Sequence, residues 1–514
     1  MLENRQNAPL LDTLLCLDDQ PDVAELLRFV QGGAHDLEEM LLVIPALLVQ
    51  KRLRPAYILA LLLKNNGYHN PILSSALSLG GWIFGNPEEE RFGLESLRIQ
   101  ADALPPAQRH LLYDAMLQPL LTHVLTVAIE RADRAAVLKI LALYKLFFPS
   151  LRTLFDVHAP VPAFSLEEVR QRGRAQARLL VYPPETLPRS RRRVVVAMRE
   201  RFYFGNSSSR PSDFGPRLEA AMQAYGWEVI GCPFRCATLT DMTDDFRAIV
   251  AACRQHQAEL LVMDLNVTMK AEERDAMIFQ LRQENPAMRV VGCLIDSFCF
   301  SDAVLTQASQ HLDLVWTRDA PARPLWSTPF FVDRTLNLAF PQAGLVGIPD
   351  RPLVPQLFFS GGITGGYTPH RAFWWATVEQ LGLPVSVRLS SHGEDGLSPL
   401  DSFAVYMQGL AAATCCLNFS MRADHSHVVT FRSFEVLFSG ALLVQEATAE
   451  MDYYFIAGEH YLPFATLAEL AAVVRFMTEH PDEAEAIRRC GNAFARERYS
   501  DERIIGCLER RVWG

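Results

Sequence analysis

The run Thr430-Phe431-Arg432-Ser433-Phe434-Glu435-Val436-Leu437-Phe438-Ser439-Gly440 holds one arginine and one carboxylate among apolar neighbours. Its spacing predicts a helix over Phe431–Ser439, stopped at Gly440, with a buried strand following over Ala441–Gln445. Arg432 and Glu435 are three residues apart and can share one helix face. At the wall of a cleft, such a carboxylate can accept two ribose hydroxyls and the guanidinium can meet phosphate, with Thr430 at the helix entrance. The plain alternative is a surface Arg–Glu pair on an ordinary helix.

A second stretch, Ser360-Gly361-Gly362-Ile363-Thr364-Gly365-Gly366-Tyr367, follows an apolar strand and precedes a helix entered near Arg371. Glycines such as Gly361 and Gly362 let backbone amides approach a pyrophosphate, and a helix N-terminus favours the negative charge. Asn418 and Ser420 close the strand Thr414–Phe419 and are expected at the same cleft, although an asparagine there is more often a cap. Farther up the chain, strand ends offer Asn206, Arg235, Asp264, Asn266, Asp296 and Arg318. A transfer reaction at a hydroxyl needs a base, and Asp296 is the first choice, with Asp264 as its rival. For either, a loop-capping aspartate is the plainer reading. His392, His425 and His427 lie in expected loops, but no third metal ligand stands at a recognisable spacing, so no metal site is expected.

These residues need elements to hold them. From Val194 onward, short apolar runs alternate with helical patterns: Val194–Met198, Trp227–Gly231, Leu260–Asp264, Arg289–Ile295 and Leu312–Thr317. A second series runs Gln356–Ser360, Val385–Leu389, Thr414–Phe419 and Ala441–Gln445. Continuous apolar strands separated by helices predict parallel sheets covered on both faces. Two such series predict an α/β fold of two Rossmann-type lobes, residues 191–345 and 346–514, with ligands beyond the carboxyl ends of the strands. Residues 1–158 read as an all-α helical domain, punctuated at Pro55, Asn65-Asn66-Gly67, Asn86-Pro87 and Pro105-Pro106, without a clean repeat period. Residues 159–190 read as a basic linker. With the arginines up to Arg193, it is either a solvated helix and connector or a site for an anionic substrate or a membrane surface.

Composition narrows the classes. A 514-residue chain with 49% hydrophobic and 21% charged residues can bury several cores. A net charge of −10 argues against a general nucleic-acid binder. The ten cysteines form no CxxC pair, which suits free thiols in a reducing compartment. Without a signal-peptide pattern or a spanning apolar segment, the expectation is a cytoplasmic protein.

The Arg432–Glu435 segment resembles the C-terminal signature of group 1 glycosyltransferases, in particular the spore-maturation-protein-like subgroup. The likeness continues through Asp452-Tyr453-Tyr454-Phe455, Gly458-Glu459-His460-Tyr461, Thr466–Leu470, His480-Pro481 and Tyr499–Arg503. It is good over about residues 410–508, looser over 190–409, and absent before that. The resemblance implies a GT-B fold and transfer of a sugar from a nucleotide-sugar donor, a substrate rather than a cofactor, without a metal. It implies Glu435 at the donor ribose and Arg432 at its phosphates or sugar, with a glycan or protein as acceptor. One position departs: many group 1 enzymes carry a second glutamate eight residues before the one matching Glu435, and here it is His427. That substitution leaves the stereochemical outcome open and keeps two alternatives in view, a non-catalytic assembly protein on a GT-B-like core and a nucleotide-sugar epimerase.

Overall fold

In the computed structural model, the described residues are 43–44, 47, 53–69, 71–83, 86, 88–93, 95–96, 156, 158–180, 191–204, 208–235, 242–268, 272–295, 297, 300–321, 323–342, 351–360, 371, 374, 377–378, 381–388, 397–421 and 427–514. The chain divides into two compact units, Met1–Asp156 with Ile363–Thr377, and Val157–Gly362 with Val378–Gly514.

In the first unit, helices Leu53–Asn65 and Pro71–Ile83 pack against each other. Between them Gly67 takes a left-handed φ of +82°, which suits a glycine that ends a helix. Pro55 does not interrupt this region as its sequence suggests. It sits in the first turn of its helix, where the missing N–H costs nothing. The periodic runs at Val23–Val30 and Ala135–Phe148 lie outside the described residues.

The second unit carries the two α/β lobes. The N-lobe strands are β1 (Arg193–Ala197), β4 (Glu228–Gly231), β5 (Leu260–Asp264), β6 (Arg289–Leu294), β7 (Leu314–Thr317) and β8 (Thr335–Asn337). They form a fully parallel sheet ordered β4-β1-β5-β6-β7-β8. Strands β2 (Arg201–Phe204) and β3 (Ser208–Pro211) form a separate antiparallel hairpin just after β1. Alternate residues serve opposite faces of the large sheet. Val194, Val196, Leu260, Val262, Val291 and Cys293 enter one core, whereas Val195, Ala197, Leu261, Met263 and Val290 enter the other. This two-sided burial explains why the strands read as unbroken apolar runs.

The C-lobe sheet has β9 (Leu357–Ser360), β10 (Val385–Arg388), β11 (Cys415–Asn418), β12 (Leu442–Glu446) and β13 (Leu462–Phe464). It is also parallel, ordered β10-β9-β11-β12-β13. Both sheets are therefore Rossmann-like, and the pair makes a GT-B arrangement. In each, the strand order reverses once: between β1 and β5, and between β9 and β11. Ligand crevices in open α/β sheets open at such reversals.

The basic stretch before β1 is not a loose connector. Ser165 caps helix Leu166–Gln176, and that helix lies on the C-lobe. Arg170 donates to the Gly458 carbonyl at 3.2 Å. Arg178 and Leu180 donate backbone N–H groups to Asp452 and Tyr453 at 2.8 and 3.0 Å. A Cβ added at Gly173 would collide with the Ala457 carbonyl, so only glycine permits this approach. The arginines next to β1 are also engaged within the protein: Arg191 with Glu228, Arg192 with Glu259 and Glu509, and Arg193 with Glu259. Among the described residues, no helix is long and apolar enough to cross a membrane.

Candidate functional site

Helix Phe431–Phe438 begins after Thr430 and ends at Ser439-Gly440, with Gly440 at φ +78°. It packs on β11 and β12 with Phe434, Val436, Leu437 and Phe438 buried. Glu435 is 7% exposed, which excludes a surface pair. Arg432 and Glu435 share a helix but do not form an ion pair with each other. The Tyr406 hydroxyl, from helix Pro399–Ala413, donates to Glu435 Oε2 at 2.9 Å. On the other oxygen, Arg217 Nη1 lies 3.7 Å from Oε1. Burial raises the pKa of Glu435, and Arg217, then Arg432, oppose that rise. Burial also pushes the Tyr406 phenol well above its ordinary value, with the Glu435 charge adding to the effect.

Arg432 turns toward the crevice between β9 and β11. Its Nη1 donates to Asn418 Oδ1 at 3.3 Å, and its guanidinium lies 5.1 Å from the Phe359 ring centre. Its buried Nε has no hydrogen-bond partner. Asn418 is fully buried at the end of β11. Its Nδ2 lies 2.8 Å from Thr430 Oγ1, 3.1 Å from Ser433 Oγ and 2.7 Å from Gln445 Oε1. Two N–H bonds must be shared among these three acceptors, and that turns the amide oxygen toward Arg432. Asn418 thus orients the arginine and is not exposed to the crevice. The Thr430 hydroxyl is used in the same network and does not cap its helix.

Two further hydroxyls mark the crevice. Ser360 ends β9 and Ser420 follows β11, and both Oγ atoms are buried without a hydrogen-bond partner. An unpaired buried hydroxyl costs free energy, so a ligand with acceptor oxygens fits here. Glu446, at the end of β12, accepts the backbone N–H groups of Ser420 and Met421 at 2.7 and 2.8 Å and fixes the loop that carries Ser420.

Of the other residues expected at the site, Gly361, Gly362, Asp296, Asn206, His392 and His425 lie outside the described residues. Arg371 is helical and half-buried and belongs to the first unit. His427 pairs across a bridge with Met421. Among the described residues, no group of three metal-ligating side chains comes together. Asp264 is fully buried, holds Arg199 through both oxygens and accepts the Val267 N–H at 3.3 Å. The capping reading holds for Asp264, with the ion pair added, and a free base does not. Asn266 Oδ1 accepts the Ile295 N–H at 2.6 Å, and Arg235 contributes its N–H to Asp245. The Asp244-Asp245 pair lies in the first turn of helix Thr243–Gln255, where acids favour the helix dipole.

Of the groups that cross between the lobes, Arg318 is one of the strand-end candidates, whereas nothing in the sequence singles out Asp319 or Glu450. Arg318, at the end of β7, donates from Nε to the Val429 carbonyl at 2.8 Å and lies 4.1 Å from the Phe431 ring centre. The Tyr454 hydroxyl donates to the carbonyls of Arg318 and Asp319 at 2.7 and 3.1 Å. Ser297 donates to the Asp319 carboxylate. Close by, Glu450 has a buried Oε2 without a hydrogen-bond partner. Burial, reinforced by the Asp319 charge, pushes Glu450 up to about 8.

That shift has a defined sign. The folded protein keeps a proton on Glu450 above the unfolded carboxyl value of about 4.3, so it binds more protons than the unfolded chain in that window. Stability should therefore fall as pH rises from about 4.3 through about 8. Glu450→Gln should match the wild type near the lower limit and exceed it in stability above the upper one. Denaturant unfolding at both ends would measure this, and parallel pH profiles for the two proteins would refute it.

Residues 373–508 match the family model described as "Glycosyl transferase-like". This chain carries a glycosyltransferase-like domain. The domain contains β10 to β13, the Phe431 helix and the whole Arg432–Asn418–Glu435 cluster. No match stands among curated proteins. Similar solved structures include Anabaena HepE in complex with UDP and glucose, at 13% identity over 62% of this chain and 99% of that one, with a TM-score of 0.40. Sucrose-phosphate synthase from Thermosynechococcus elongatus shows 12% identity, coverages of 63% and 99%, and a TM-score of 0.42. AviGT4, a glycosyltransferase involved in avilamycin A biosynthesis, shows 12% identity, coverages of 62% and 97%, and a TM-score of 0.40.

Proposed function

We propose that this protein transfers a sugar from a nucleotide-sugar donor to an acceptor hydroxyl on a glycan or a protein, and that the donor binds in the C-lobe crevice between β9 and β11. The observation that carries this reading is the cluster of groups at the strand reversal between β9 and β11. Within the glycosyltransferase-like domain it gathers a buried carboxylate, Glu435, an arginine with an unpaired Nε, Arg432, and the unpaired hydroxyl of Ser420, with the unpaired hydroxyl of Ser360 at the end of the adjacent strand β9. A carboxylate suits the vicinal hydroxyls of ribose, and a guanidinium with hydroxyl donors suits a pyrophosphate. Gly361 and Gly362, next in sequence after β9, are proposed to add backbone amides.

Asp296, one residue before Ser297, is the proposed base for the acceptor hydroxyl. Catalysis is proposed to need no metal. Residues 1–158 are surplus to the two lobes and are proposed to recognise the acceptor or a partner protein.

The deciding experiment incubates the full chain with a panel of nucleotide sugars and follows nucleotide release, with and without a chelator. Release from one donor, undiminished by chelation, is expected. Epimerised donor without release would favour the epimerase alternative. Absence of both binding and turnover would favour an assembly protein. Activity lost to the chelator and restored by manganese would contradict metal independence.

A further inference from the structure

Arg217 belongs to the N-lobe, in the first turn of helix Phe214–Tyr225. Its guanidinium, however, lies among C-lobe groups. It sits 4.2 Å from the Phe403 ring centre and 5.6 Å from that of Phe431, with Nη1 3.7 Å from Glu435 Oε1. On its own side, Asp213 pairs with Nε at 3.0 Å, and Gln342 Oε1 accepts from Nη1 at 3.3 Å. The residue is 3% exposed. A buried guanidinium is tolerated only when paired and hydrogen-bonded, and here half of that environment comes from the opposite lobe. Its guanidinium ion-pairs with Asp213 and Glu435 and donates one hydrogen bond to Gln342, while its flat face covers a ring, which a lysine cannot reproduce in full.

We propose that Arg217 is a positioning residue for Glu435: by reaching across the lobes it fixes the carboxylate that recognises the donor. This rests on the reading of Glu435 as the ribose-binding group. The charged and titratable groups that face Glu435 are Arg217 and Asp213 from the N-lobe, Arg432 from its own helix and Tyr406 from helix Pro399–Ala413. Burial favours the protonated acid, which cannot accept hydrogen bonds from two hydroxyls through both oxygens. Arg217 is the strongest of the groups that oppose this, ahead of Arg432.

The test titrates the wild type with UDP, GDP and ADP, and carries the tightest binder forward to Arg217→Gln, Arg217→Lys and Glu435→Gln across about pH 5 to about 8. Titration of the nucleotide's own phosphate is common to all four proteins and cancels in the comparison. In the wild type, affinity should fall on the acid side as Glu435 takes up a proton. In R217Q the acid limb should move to higher pH, because losing a neighbouring cation raises a carboxyl pKa. R217K keeps the charge and should hold the limb near its wild-type position. A purely structural role for Arg217 would lower stability and leave the limb in place, so coincident acid limbs in R217Q and wild type overturn the proposal. If E435Q keeps both wild-type affinity and the acid limb, the reading of Glu435 itself fails. If the wild type binds none of the three nucleotides, both fail.

Discussion

Replacing Glu435 by alanine should weaken nucleotide binding by about ten- to a hundred-fold, since a charge-assisted hydrogen-bonding partner contributes roughly 1.5–3 kcal/mol. The estimate follows from the position of the carboxylate. It is buried, its two oxygens face Tyr406 and Arg217, and its helix lies beside the β9–β11 crevice. A substitution there also leaves the Tyr406 hydroxyl and one edge of the Arg217 guanidinium without their acceptor, so stability will fall together with affinity. Glu435→Gln keeps the shape and a carbonyl acceptor, and should lose affinity with less cost to the fold. Calorimetric titration of a nucleoside diphosphate into folded variants measures the effect. Unchanged affinity in a folded Glu435→Ala protein would remove Glu435 from the site.

The second large effect concerns stability. Asp264→Ala should destabilise the second unit by roughly 3–5 kcal/mol, the usual cost of removing one partner from a buried ion pair. Asp264 is fully buried at the reversal between β1 and β5. It holds Arg199 through two hydrogen bonds and also anchors the Val267 N–H. Losing it removes both carboxylate contacts from a guanidinium that is only 19% exposed. Replacing both members with apolar side chains of similar volume should recover much of the loss, because a broken buried ion pair costs more than an apolar pair of the same shape. Denaturant unfolding of the single and double variants decides this. A loss under about 1 kcal/mol in the single variant would show that water reaches Arg199 and that the pair behaves like one at the surface.

Much of this architecture could be read from residue order. Val194–Met198 and Leu260–Asp264 announce themselves as strands because a parallel sheet covered on both faces favours unbroken apolar runs, with polar residues such as Asp264 entering at the strand ends. The hairpin of β2 and β3 does not, since Ser208-Ser209-Arg210-Pro211 carries no apolar alternation. Strands β8 and β13 have three residues each, too few for any period to register. At the site, Glu435 and Arg432 stand out because a lone charge in an apolar helix demands a reason. Their partners do not. Tyr406 sits in another helix and Arg217 in another lobe, and a pattern read along the chain is blind to such contacts. The same holds for the basic stretch before β1. Its charge is plain in the sequence, but its partners Glu459, Glu228 and Glu259 are supplied by folds that form far away. For Asp264, the plainer expectation of a capping aspartate is the one that the geometry supports.

The two lobes are laced at both ends. The segment that leads into β1 lies first on the C-lobe, through helix Leu166–Gln176 and the backbone of residues 178–180. The last helix, Asp501–Trp513, returns from the C-lobe to the N-lobe, where Glu509 accepts from Tyr225 and Trp513 stacks beneath Arg192. A chimaera built by joining lobes from two relatives at the natural-looking seam between β8 and β9 would therefore mismatch three surfaces at once: the cleft, the entering helix and the departing one. A transplantable N-lobe has to bring the closing helix Asp501–Trp513 with it, and a transplantable C-lobe has to bring residues 166–180. By that measure the units of exchange are not contiguous in the chain, and recombination within this architecture would favour replacement of loops over replacement of lobes.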